Sequence, residues 1–253
     1  MLEGFLNRYN ASMDLIESIQ HALWYLLQCI SSGNVLGARE HAFAIWYITL
    51  GHHFAIFEEK CTPVPRLVAQ ATGVTLELGP GSGNQLSRLD TRYVNKVYGI
   101  EPNVHFHKIL KKKLSDMPDL GHKYTIVTAK LEDEQALREH DIEPGTVDTV
   151  LCMQVLCSVK DPAAAVKQIY RLLKPGGHFL YWEHCRSSDV TTRMLQRMWN
   201  IVWRPLIGGC SLTVRIDEAV QKTGPWVVKE SGHDEDPHKL MPRSWAHLRK
   251  PEF

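Results

Sequence analysis

Glu77-Leu-Gly79-Pro-Gly81-Ser-Gly83 follows directly on the short apolar run Val74-Thr-Leu-Glu-Leu78. A strand that runs into closely spaced glycines lets the backbone turn sharply and approach a ligand where a Cβ would stand in the way. Dinucleotide sites carry G-x-G-x-x-G at this point. Here the spacing is G-x-G-x-G with an acidic residue two positions before it, which favours a nucleoside without a pyrophosphate. Glu101 ends the next apolar run, Lys96-Val-Tyr-Gly-Ile100, where a carboxylate accepts hydrogen bonds from both hydroxyls of a ribose.

His184 closes the later run His178 to Trp182 with one residue between. A neutral imidazole at the carboxyl end of a strand is suited to take a proton near neutral pH. The alternative is a hydrogen-bonded histidine that holds the loop after the strand. His52 and His53 follow Trp46 and Tyr47 by about one helical turn, and a covering helix would bring Tyr47 or one of the histidines to a substrate. The pairs His52-His53 and His105-x-His107 are too close in sequence to share a helix face, so no metal site is expected. Cys152 and Cys157 read as small buried hydrophobes.

These groups need a scaffold to position them. From Met13 to Ile30 apolar residues recur at three- and four-residue steps, and a second helical pattern runs from Val35 to Ile56 after the break Ser31-Ser32-Gly33-Asn34. Residues 1–65 therefore form a helical segment ahead of residues 66–253, where strands and helices alternate. Strands are expected at 74–78, 96–100, 124–128, 147–153 and 178–182, with helices from Asn84, over 104–114, 132–140 and 162–173, and Pro162 opening the last. Beyond Ser187 come helices over 190–202 and 216–222 and strands near 226–230 and 245–249. Repeated βα units imply an α/β fold, a doubly wound, mainly parallel sheet covered on both faces. The amphipathic N-terminal helices would serve as a lid over its crevice.

The 253 residues carry 29 Lys and Arg against 28 Asp and Glu, so no global field exists to hold nucleic acid. The six cysteines form no C-x-x-C pair, and the N-terminus lacks a signal-peptide pattern; a reducing, cytoplasmic setting is expected. The longest apolar run, Ala22 to Leu27, is too short to span a membrane. Trp24 and Tyr25 leave weak association with a membrane surface open, although Asp14, Glu17 and Gln20 on the polar face favour a lid.

Tyr170-Arg-Leu-Leu-Lys-Pro-Gly-Gly177, in order after the glycine turn, resembles the class I S-adenosylmethionine-dependent methyltransferases over residues 74–184. More narrowly, Val155-Leu-Cys-Ser-Val-Lys160, Trp182-Glu-His184 and Gly209-Cys-Ser-Leu-Thr213 resemble the small alkyl-thiol methyltransferases and their fungal relatives that modify secondary metabolites. The resemblance implies a Rossmann-like fold and S-adenosyl-L-methionine as cofactor. It places Glu77, Gly79, Gly81 and Gly83 beside the methionine and ribose, Glu101 on the ribose, Leu131 and Glu132 at the adenine, and Gln154 facing the transferable methyl. The acceptor is expected to be a small, largely apolar molecule methylated on an enol or phenol oxygen, of fungal polyketide type. Transfer to a thiol is the alternative, and a non-catalytic or lipid-associated cofactor-binding protein is the rival from another class.

Overall fold

A computed structural model describes residues 2–33 and 35–252, with side chains from Leu6 onward except that of Tyr9. Asn34, placed by the sequence reading in the break after the first helix, lies outside the described residues. The strands are β1 (Gly73–Leu78), β2 (Val94–Ile100), β3 (Tyr124–Val127), β4 (Val147–Met153), β5 (Leu173–His184), β6 (Val227–His233) and β7 (Arg243–Arg249). They make one seven-stranded sheet in the order β3-β2-β1-β4-β5-β7-β6. The first five are parallel, and β7 runs antiparallel between β5 and β6. After β3 the chain returns to the other side of β1, so a crevice opens beyond the carboxyl ends of β1 and β4.

Strands buried on both faces need apolar residues at successive positions, and β4 supplies them. Val150 and Cys152 enter the core layer on one side of the sheet with Leu76, Phe179 and Tyr181. Leu151, between them, enters the other layer with Val97, Leu180 and Trp182. The helices are α1 (Leu2–Ser31), α2 (Ala38–Cys61), α3 (Val64–Val68), α4 (His107–Ser115), α5 (Pro118–Gly121), α6 (Glu134–Arg138), α7 (Pro162–Leu172), α8 (Val190–Leu206) and α9 (Ile216–Thr223). Asp161 caps α7 by accepting the N–H groups of Ala163 and Ala164 at 3.0 and 3.1 Å, with Pro162 in the first turn.

One expected element is replaced. No α-helix starts at Asn84; the chain makes a single 3₁₀ turn at Leu86–Arg88. Leu86 and Leu89 are both buried, and a three-residue spacing brings two side chains to one side in a 3₁₀ turn. The neighbouring space is filled by α2, whose Glu58 side chain bonds to Gln85 and Arg88. α1 packs along α2 and reaches α8, with Leu15, Ile19 and Ala22 buried. Among the described residues no helix is long and apolar enough to cross a membrane.

Candidate active site at the glycine turn

Gly79 adopts a left-handed φ of 54°, and a Cβ there would stand 2.7 Å from the Val155 side chain. Only glycine lets the turn after β1 pass this close to the loop after β4. Gly83 is needed for packing as well, since a Cβ there would press on Leu86 and Leu110 at 2.9 Å.

Two buried carboxylates flank the turn. Glu101 accepts the N–H of Gly81 on one oxygen and that of Asn103 on the other, each at 2.9 Å. Both oxygens keep a further lone pair. Burial raises the Glu101 pKa, and the two N–H groups oppose that rise. Glu77 receives the Tyr124 hydroxyl at 2.5 Å on Oε2, while its buried Oε1 has no partner. Burial pushes Glu77 up to about 7, the Tyr124 hydroxyl working against it and the Glu101 charge with it. The amide nitrogen of Asn84 is likewise buried and unpaired. These groups border a narrow cleft lined by Tyr47, Glu77, Gly79, Asn84, Gln85 and Met153 among others.

α2 roofs that cleft. A Cβ on Gly81 would meet the Tyr47 ring at 3.4 Å, and one on Gly51 would meet Ser82 Oγ at the same distance. Tyr47 packs with Phe43, Phe54 and Phe106 at ring-centroid distances of 5.3 to 6.0 Å. Burial drives the Tyr47 phenol pKa upward, so the ring stays neutral and fills space. Arg88 anchors the roof, bonding Glu58 at 2.5 Å and the Ala55 carbonyl at 3.2 Å. Because Gly51 faces the turn, His52 and His53 are rotated away from it, and both are exposed to solvent. Neither lines the cleft beneath the roof.

The remaining expected residues divide. Gln154, with a left-handed φ of 63°, brings its amide nitrogen to 3.1 Å from His184 Nε2. The other ring nitrogen lies 3.5 Å from the Cys210 sulfur. His184 is buried with both nitrogens engaged, the held imidazole that the sequence offered as the alternative to a base. Leu131 is buried in the core, whereas Glu132 is exposed and the cap of α6 is Asp133, which accepts the Ala136 N–H at 3.1 Å.

Sequence reasoning missed Glu183. It is fully buried at the end of β5 and accepts the N–H groups of Val155, Leu156 and Cys157 at 2.7, 2.8 and 3.2 Å. Burial pushes it up to about 7 against those bonds. A carboxylate inside an apolar strand was the available signal. The assembly of Cys157, His184 and Cys210 was also missed, because it joins one strand end and two loops distant in sequence; their ligating atoms lie within 4.8 Å of one another.

A methyltransferase-domain family model matches residues 52–219. The chain belongs to that family. The methyltransferase is 29% identical over 175 residues to the human thiol S-methyltransferase TMT1A, covering 69% of this chain and 66% of that protein. It is 32% identical over 139 residues to human TMT1B, also a thiol S-methyltransferase, covering 54% of each. The matches thus span about half to two thirds of these relatives. Among solved structures, the N-methyltransferase NodS from Bradyrhizobium japonicum, in complex with S-adenosyl-L-homocysteine, is similar at a TM-score of 0.54 and 16% identity, over 77% of this chain and 87% of that one. The CurJ carbon methyltransferase is similar at 0.59 and 14% identity, over 98% of this chain and 70% of that one. These likenesses show the Rossmann-like class I fold.

The cofactor is S-adenosylmethionine, and the residues at the glycine turn fit it. The spare lone pairs of Glu101 suit ribose hydroxyls. The unpaired Glu77 Oε1 and Asn84 Nδ2 are a buried acceptor and donor of the kind an amino-acid moiety satisfies.

Proposed function

We propose that this S-adenosylmethionine-dependent methyltransferase acts on the sulfur of a small, largely apolar thiol. The observation that carries the reading is the engagement of both His184 ring nitrogens, one by Gln154 and one by Cys210. A histidine held in this way does not serve as a free base for a phenol or an alcohol. A thiol as acidic as a cysteine, with a pKa of about 8.5, has a larger ionised fraction near neutral pH than a phenol at about 10, and the thiolate is the better nucleophile. The human relatives matched over half or more of their length are named thiol S-methyltransferases, which moves the balance from the oxygen acceptor expected of the sequence toward sulfur.

When bound, the cofactor supplies an electrophilic methyl on a sulfonium, attacked in line by the acceptor. The chain's own part is to align and to exclude water. Gly79 admits close approach of the backbone, Glu101 holds the ribose side, and the ionised form of Glu77 complements positive charge. Tyr47, Phe43 and Trp46 on α2 make the roof, with α1 behind it as a lid. Residues 1–65 act on this reading as the acceptor-covering segment and residues 66–253 as the cofactor-binding one. Glu132 stands as the proposed partner of the adenine amino group, reached from its exposed position after β3. The reaction needs neither nucleic acid nor a membrane.

Incubation with methyl-labelled cofactor and matched alkyl thiol, phenol and enol acceptors tests the reading. Label is expected on the thiol, at a rate that rises with pH toward the thiol pKa. Transfer to the phenol or enol with the thiol untouched would overturn it.

A further inference from the structure

Behind Gln154 the chain gathers two sulfurs and an imidazole that the methyl-transfer scheme does not use. Cys157 follows β4, His184 ends β5 and Cys210 follows α8; all three are buried. Their ligating atoms lie within 4.8 Å of one another, and Cys210 Sγ is 3.5 Å from His184 Nδ1. Zinc bound tetrahedrally at about 2.3 Å to sulfur and 2.0 Å to nitrogen sets edges of about 3.5 Å for S···N and about 3.8 Å for S···S. One edge is already met. The widest separation exceeds a tetrahedral edge by only about 1 Å, within reach of a cysteine side-chain rotation.

We propose that Cys157, His184 and Cys210 bind one zinc ion through two thiolates and the imidazole Nδ1. The backbone holds the ligands together without the ion. Ser211 donates its N–H to the Cys157 carbonyl at 2.8 Å, locking the two cysteine segments side by side. Gly209, at φ 84°, lets them approach so closely that a Cβ would stand 3.1 Å from the Ser158 carbonyl. With Nδ1 on the metal, His184 Nε2 carries the ring proton, and Gln154, whose amide lies 3.1 Å away, accepts it through Oε1 once that amide is turned over. The Glu183 carboxylate fixes the Cys157 N–H from below.

Electrostatics favour the same occupant. Two thiolates and a dication sum to zero, so the loaded cluster is neutral where an uncompensated charge would be costly. The buried Trp203 indole N–H has no hydrogen-bond partner among the described residues, a donor suited to a metal-bound thiolate. A set of two sulfurs and one nitrogen selects zinc over magnesium or calcium, and three protein ligands leave a fourth position for an exogenous one.

The test uses the full chain, produced in zinc- or cobalt-supplemented medium and exchanged into metal-free buffer. One zinc per chain is expected by mass spectrometry, and the cobalt form should show thiolate-to-cobalt charge transfer and tetrahedral absorption. Cys157→Ser and Cys210→Ser should each cut metal retention at least tenfold with unchanged circular dichroism, whereas Cys185→Ser should retain it. Wild-type protein without metal and without the cobalt spectrum would overturn the proposal, whatever the variants do. So would a Cys157–Cys210 disulfide in place of the metal, or equal retention in Cys210→Ser. Cofactor binding measured on the same samples keeps a failure here separate from a failure of the methyltransferase chemistry.

Discussion

The N–H of Gly81 donates to the carboxylate of Glu101 at 2.9 Å, tying the turn after β1 to the end of β2. One side chain thus shapes the loop and, on the proposed reading, holds the ribose. Replacing Glu101 with Ala leaves the N–H groups of Gly81 and Asn103 without their acceptor and removes the proposed ribose contact. Cofactor affinity is expected to fall by about 1.5 to 3 kcal/mol, read by calorimetry, with a lower melting temperature. Glu101→Gln, which keeps one acceptor oxygen, should fall between. Unchanged affinity in a folded Ala variant would remove Glu101 from the ribose role.

Glu77 and Glu183 are both pushed from 4.5 to about 7 by burial. Across that window the folded state holds protons that the unfolded chain releases, so the carboxyls favour folding most at acid pH. Their contribution declines as pH rises from about 4.5 to 7 and is level above. Each shift corresponds to roughly 3 kcal/mol. Urea unfolding at pH 5 and pH 8 should show a smaller loss in Glu183→Gln than in the parent protein.

The same shift of Glu77 bears on ligand binding with the opposite sign. A cationic cofactor prefers the carboxylate, so its affinity should weaken as pH drops through about 7. Glu77→Gln should flatten that dependence in calorimetric titrations at several pH values. A parent protein whose affinity is level from pH 6 to pH 8 would contradict it.

Arg88 and Glu58 form an ion pair with side chains only 9% and 3% exposed. Removing one partner strands a buried charge, and Arg88→Met is expected to cost about 3 to 5 kcal/mol in chemical unfolding. Adding Glu58→Met should recover most of it. A double variant no more stable than the single one would show that the pair acts through its other bonds, to Gln85 and Ala55.

Tyr47 rests on Gly81 with a neutral phenol, so Tyr47→Phe should leave cofactor exchange nearly unchanged. Tyr47→Ala opens the roof. It should speed cofactor dissociation about tenfold or more in stopped-flow measurements, and equal rates in the two variants would show that the ring is no barrier.

The parallel strands were legible because burial on both faces writes them as apolar runs, as in Val147 to Met153. The glycine turn was legible from its spacing, as was the strand-end position of Glu101. The missing helix after Gly83 was not, because Asn84 to Asp90 carries polar residues that serve α2 in space and are neutral for local pattern. Which way His52 and His53 point was not legible for a related reason. Periodicity gives the spacing of a helix's faces, and only the contact of Gly51 with Ser82 tells which one turns inward. The grouping of Cys157, His184 and Cys210 depends on where one strand and two separate loops end, which spacing along the chain does not encode.

The packing of α1 and α2 against partners that come later in the chain also sets the order of events during synthesis. Leu15 and Trp46 leave the ribosome ahead of Phe106 on the turn after β2, and far ahead of Trp203 on α8. Until those residues emerge, two helices carry apolar side chains with few partners, a state prone to aggregation and to chaperone capture. The roof is made first and seated last, and the long-range closure it requires makes final docking of the first helices the natural slow step of folding.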